Sequence, residues 1–113
     1  MKITDISVDL IQSDCGRKWT HVHLQTDEGI TGIGEATYSH KEFVVARMVE
    51  ALKPSIVGKD PFDAEGIFQE LYSHGSLGYR TGGIMFTSAI SGIDQALWDL
   101  KGKMLDTPVY QLL

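Results

Sequence analysis

The sequence has one cysteine and three prolines, no run of basic residues and no long apolar stretch. A lone thiol, Cys15, cannot form an internal disulfide. No segment approaches the ~20 apolar residues that span a bilayer, and the N-terminal MKITDISVDL lacks the apolar centre of a signal peptide. A cytoplasmic, reducing setting is therefore expected. With a formal net charge of −5 and no basic cluster to neutralise phosphates, neither nucleic acid nor an anionic membrane surface is an expected partner. What is present, 42% hydrophobic and 22% charged residues over a length of 113, suits one globular domain with one core.

The longest helical signal lies in Ala89 to Leu113, AISGIDQALWDLKGKMLDTPVYQLL. Ile93, Leu97, Leu100 and Met104 fall at i, i+4, i+7 and i+11 and form one apolar stripe. Beside it runs a small-residue stripe, Ser88, Gly92 and Ala96, that would let another backbone approach closely. Gly92 lowers helix propensity by about 1 kcal/mol relative to Ala, which implies a packing reason. The helix is expected to end near Leu105, because Pro108 holds its predecessor extended.

Toward the N-terminus the period changes to two. Lys2 to Gln12 reads as a strand with Ile6, Val8 and Leu10 on one face. Ser13 to Lys18 is a loop of turn formers. Trp19 to Thr26 puts Thr20, Val22 and Leu24 on one face and Trp19, His21, His23 and Gln25 on the other. The run Thr26-Asp27-Glu28-Gly29 predicts a tight hairpin, with Gly29 in the left-handed region, leading into a third strand over Ile30 to Thr37. Gly32 and Gly34 weaken that strand but admit a close neighbour.

Helices follow. Ser39 and Glu42 have the spacing of a capping box, with Val44, Val45, Met48, Val49 and Leu52 facing inward up to Pro54. Asp60 and Pro61 mark a second helix, whose stripe is Ile67, Phe68, Leu71 and Tyr72. Ser73 to Gly83 reads as an irregular loop. The fold class is thus α+β: a three-stranded antiparallel meander, then a three-helix bundle over roughly Ser39 to Leu52, Pro61 to Tyr72 and Gly83 to Leu105.

Several residues invite a chemical reading. His21 and His23 form an H-x-H pair that could give two zinc ligands, but a third would have to come from His40, His74 or Glu35, and nothing local sets that geometry. Asp94 and Asp99, five apart on a helix, diverge by well over a right angle and are no catalytic dyad. Asp99 instead meets Lys103 four residues on. Cys15 stands beside Arg17 and Lys18, which could lower its pKa, yet no base accompanies it. The glycines of GITGIG lack the strand-to-helix order of a dinucleotide site.

Taken together, Ala89, Ser91, Gly92, Ile93, Asp94, Ala96, Leu97, Asp99, Leu100, Gly102, Lys103, Pro108, Val109, Leu112 and Leu113 resemble the signature helix of the mandelate racemase and muconate lactonizing enzyme family of the enolase superfamily. TDEG, GEAT, GKDP and YRTGG extend the likeness over the chain, and SAISGIDQALWDLKGK is most similar to the acid-sugar dehydratases that act on galactonate and mannonate. The resemblance implies that residues 1–113 form the N-terminal capping domain, and that a C-terminal TIM barrel outside this chain carries the Mg²⁺ ligands and the catalytic residues. On that basis no catalytic residue and no metal ligand is expected here. The parent would remove the proton next to a carboxylate and eliminate water. Expected partners are a sugar-acid substrate, the protein's own barrel and further copies in a homo-oligomer. The alternatives are the cap of a racemase or cycloisomerase, or a stand-alone binding module.

The resemblance also implies that two loops close over the barrel mouth, here Asp14 to Trp19 and Tyr38 to His40. Substrate contacts are accordingly expected from Arg17, Lys18 and Trp19 and from Tyr38, Ser39 and His40. Cationic donors, a flat indole wall and polar groups suit a polyol chain better than a hydrocarbon acid. The face shared by Asp94 and Trp98 is expected to be covered by the barrel.

Overall fold

The computed structural model describes residues 1–73 and 83–113. Alternation of apolar and polar side chains produces β1 (Ile3–Gln12), β2 (Lys18–Thr26) and β3 (Thr31–Glu35), an antiparallel meander in the order β1-β2-β3. The register sets Val8 opposite Val22 and Val22 opposite Gly34, and Ile6 opposite Leu24 and Leu24 opposite Gly32. Thr20, Val22 and Leu24 are fully buried on the inner face, as their spacing predicts. Gly29, at φ +79°, closes the β2–β3 turn. Leu10 departs from expectation: it is 39% exposed, in the stretch Asp9 to Gln12 where every residue of β1 is exposed.

Five helices follow: α1 (Glu42–Ala51), α2 (Lys53–Ile56), α3 (Ala64–Ser73), α4 (Gly83–Met104) and α5 (Val109–Leu112). The three expected helices are α1, α3 and α4. The single turn α2 arises because Pro54 sits in a first turn, where its missing N–H costs no hydrogen bond. Among the described residues no strand follows Pro54, and no helix is long and apolar enough to cross a membrane. The expected loop at Ser73 to Gly83, with His74, lies almost wholly outside the described residues.

Helix starts differ from their sequence signals. The Ser39–Glu42 capping box does not form: the cap of α1 is Lys41, with no side-chain bond, and Glu42 Oε1 instead accepts the His40 N–H at 3.3 Å. Helix α3 begins three residues after Pro61. Asp60 Oδ1 takes the Phe62 N–H (2.9 Å) in a local turn, and Asp63 Oδ1 caps the helix through the Gly66 N–H (3.1 Å). Val44 is 43% exposed, leaving Val45, Ala46 and Val49 as the buried face of α1, with Leu52 buried at its C-cap.

Helix α4 lies across the sheet. Ile93, Leu97 and Leu100 are fully buried in a core that also holds Leu24, Val45, Ile56, Leu71 and Phe86. Its small-residue stripe meets the glycines of β3, since a Cβ placed on Gly34 would collide with the Gly92 carbonyl and lie 2.8 Å from Ala96 N. The helix then stops in a Schellman arrangement: Thr107 N–H donates to Gly102 O (2.9 Å) and Asp106 N–H to Lys103 O (3.3 Å), with Asp106 at φ +49°.

Candidate functional site

In an antiparallel meander the end of β1, the start of β2 and the end of β3 lie at one end of the sheet, and that topology builds the site. The β1–β2 connection closes tightly, with Ser13 N–H bonded to Arg17 O (2.8 Å), Gly16 N–H to Ser13 O (2.9 Å) and Gly16 at φ +84°. The chain leaving β3 stays against the start of β2 through Ala36 N–H to Thr20 O (2.9 Å) and Thr20 N–H to Thr37 Oγ1 (3.1 Å). It then turns, Lys41 N–H donating to Tyr38 O at 3.0 Å.

The two loops enclose one cleft of about 1370 Å³. Arg17, Lys18 and Trp19 line one wall, and Ser39, His40, Lys41 and Glu42 the other, with Glu35 and Thr37 between them. Five of the six expected contact residues thus share one cavity. Tyr38 does not line it, and packs against the hydrophobic core instead. Lys41, Glu42 and Glu35 line it too, although they are not among the expected substrate contacts. Glu42 had a sequence signal, its place three residues after Ser39, but that signal points to a helix cap.

His40 holds a left-handed backbone at φ +65°, where a residue other than glycine is strained by about 1–3 kcal/mol. The Glu42 carboxyl is held below its usual pKa, first by its own backbone N–H, then by the His40 amide and the charges of Lys18 and His40. Cys15 also lines the cleft, and its thiol pKa is lowered, but not by the neighbouring cations. The Ser13 hydroxyl, 3.0 Å from Sγ, is the main cause, followed by the Arg17 backbone.

The remaining candidates stand apart from the cleft's walls. His23 Nε2 lies 3.0 Å from Asp9 Oδ2 without the alignment of a hydrogen bond, and His21 sits between Asp9 and Glu35 in the register. Among the described residues no three His, Cys, Asp or Glu side chains are gathered closely enough to hold a metal ion. Asp99 pairs with Lys103 at 2.8 Å. Asp94 binds the Trp98 indole N–H, and burial pushes its carboxyl pKa up. The Asp94–Trp98 face is partly covered already: with Phe68 and Gln69 of α3 it lines a groove of about 250 Å³, and Lys101 Nζ stands 4.7 Å from the Trp98 ring centre.

The family described as "Mandelate racemase / muconate lactonizing enzyme, N-terminal domain" matches residues 11–113. The chain belongs to this family. Two family relatives named D-galactonate dehydratase are similar to it: one from Verminephrobacter eiseniae is 40% identical over all 113 residues. The other, from Xanthomonas euvesicatoria, is 46% identical over 96 residues, or 85% of this chain. A solved member of the enolase superfamily from Salmonella Typhimurium superposes on 98% of the chain with a TM-score of 0.87 and 36% identity. The match spans 28%, 24% and 29% of those three proteins, so most of each lies outside it. In this N-terminal domain of the family, the signature residues Gly92, Ala96 and Asp99 serve the packing of α4 on β3.

Proposed function

We propose that this chain is the substrate-enclosing cap of a Mg²⁺-dependent acid-sugar dehydratase. The observation that carries the reading is the meeting of the Arg17–Trp19 and Ser39–His40 loops on a single cleft. A cavity with guanidinium and ammonium donors, an indole wall, a hydroxyl and an imidazole suits the hydroxyls of a sugar acid, and the named relatives act on such a compound.

In this reading the proton beside the substrate carboxylate leaves first and the neighbouring hydroxyl departs as water, giving an enol that becomes a 2-keto-3-deoxy acid. The described residues do not fit a Mg²⁺ site, which needs converging oxygen ligands, so the metal and the proton-transfer groups would lie elsewhere in a longer parent. Bound there, the metal would supply Lewis-acid stabilisation of the enediolate charge. This chain's own residues bind the distal hydroxyls, orient the substrate and exclude water from the reacting end. The further partners are the rest of the polypeptide and other copies of it, in the cytoplasm. The test is incubation of the full-length protein with Mg²⁺ and a panel of sugar acids, read by 2-keto acid formation. Turnover of one or more members is expected. Epimerised product, or no reaction with the whole panel, would overturn the reading.

A further inference from the structure

We propose that Glu42 is a positioning residue of the cleft, fixing the strained backbone of His40 so that the imidazole is presented to the substrate. This deepens the reading of the cleft as a sugar-acid site and rests on it. In the turn Tyr38–Lys41 the third residue has positive φ, a position that ordinarily takes glycine. Among the described residues, the other positive-φ positions are Gly16, Gly29, Gly58, Gly83 and Asp106, the last closing α4. His40 is therefore a bulky ring at a turn position that ordinarily takes glycine, on the wall of the cleft between the two loops. Strain of this kind persists only where the surroundings enforce it, and it gathers at ligand-holding positions.

Glu42 supplies the enforcement. The His40 N–H takes no part in the Tyr38–Lys41 bond, and Glu42 Oε1 accepts it at 3.3 Å. That bond replaces the one a capping box would make to the Ser39 N–H, and the cap residue Lys41 makes no side-chain capping bond of its own. Lys18, on the opposite wall, also bears on the Glu42 charge. One carboxylate therefore touches the backbone of one loop and the electrostatics of the other. The same carboxylate also reaches its own N–H, the first free amide of α1, so it ties the His40 backbone to the start of that helix.

The experiment compares full-length wild type, His40→Gly, Glu42→Ala and Glu42→Gln by thermal unfolding and by steady-state kinetics with Mg²⁺ and the preferred sugar acid. Glycine relieves the strained φ, so His40→Gly is expected to unfold at an equal or higher temperature while KM rises about tenfold, the worth of one lost hydrogen bond, and kcat stays within about twofold. Glu42→Ala is expected to raise KM in the same direction. Glu42→Gln keeps an acceptor for the His40 N–H and is expected to recover most of the loss. A fall in unfolding temperature in step with kcat/KM for His40→Gly would make His40 a structural residue and overturn the proposal. Wild-type KM in both His40→Gly and Glu42→Ala would overturn it too, while leaving the acid-sugar reading intact. A wild type inactive on every sugar acid would overturn both.

Discussion

The side chain of Gln95 pairs with the peptide of Glu35 as a neighbouring strand would: Nε2 donates to Glu35 O and Oε1 accepts Glu35 N–H, both at 3.1 Å. Two further rungs continue the pattern, Ile33 N–H to Asp99 Oδ2 (2.9 Å) and Lys103 Nζ to Thr31 O (2.7 Å). Four residues of helix rise about 6.0 Å and two of strand about 6.6 Å, close enough for three rungs to stay in step. Helix α4 thereby covers the free edge of β3, which would otherwise offer unpaired groups to other chains. Gln95→Ala is expected to cost about 1–2 kcal/mol, two net hydrogen bonds, and to increase self-association. Urea unfolding and sedimentation velocity measure the two effects.

Close approach of α4 and β3 depends on backbone meeting backbone. A Cβ on Gly92 would lie 2.6 Å from Ala36 Cβ, and one on Gly34 would strike the Gly92 carbonyl. Flexible side chains can yield, but these neighbours cannot. Gly34→Ala and Gly92→Ala are each expected to cost about 3 kcal/mol, the upper part of the overpacking range, seen as a lower urea midpoint at unchanged slope.

Two carboxylates should give opposite pH signatures. Asp5 is held below its ordinary pKa by the Lys53 side chain, at 2.6 Å, and by the Ile6 amide. Its contribution is present above the unfolded carboxylate value of about 3.9 and is lost as pH falls through the lower folded value. Burial raises Asp94, so its contribution is complete below about 3.9 and is lost as pH rises through the folded value. At pH ~7 Asp5→Asn should destabilise by about 0.5 kcal/mol or less, since the pair is partly exposed, and Asp94→Asn should stabilise. Both differences should shrink toward pH ~3 in urea unfolding.

In the full-length protein, Arg17→Ala is expected to lower kcat/KM for the preferred sugar acid by about tenfold and leave Mg²⁺ affinity unchanged. Tyr38→Phe should leave kcat/KM within about twofold, because that ring packs on the core and stands outside the cleft lining. A large kinetic effect of Tyr38→Phe would place its hydroxyl at the substrate.

Residues 1–113 alone are expected to bind Mg²⁺ no better than a generic acidic protein, because the described carboxylates do not converge. Calorimetry giving a single tight site would contradict this.

What the amino-acid order determined is what short-range periodicity can carry. Alternation buried Thr20, Val22 and Leu24, and helical spacing buried Ile93, Leu97 and Leu100, because each pattern assigns side chains to a face whatever the partner turns out to be. The pairing of the loops after β1 and β3 was implied by the family resemblance, and the meander gives its physical reason by bringing both to one end of the sheet. Partners distant in sequence decided the rest. Glycines in β3 and small residues in α4 each announced a close neighbour, yet only the fold made them each other's. Ser39 and Glu42 carried a capping signal, but the His40 amide competed for the same carboxylate and took it. Leu10 and Val44 sat on apolar faces and still emerged at the surface, because burial depends on how far the opposing element extends. Local spacing fixes a side chain's direction; which donor, backbone or solvent it meets there is a property of the packed whole.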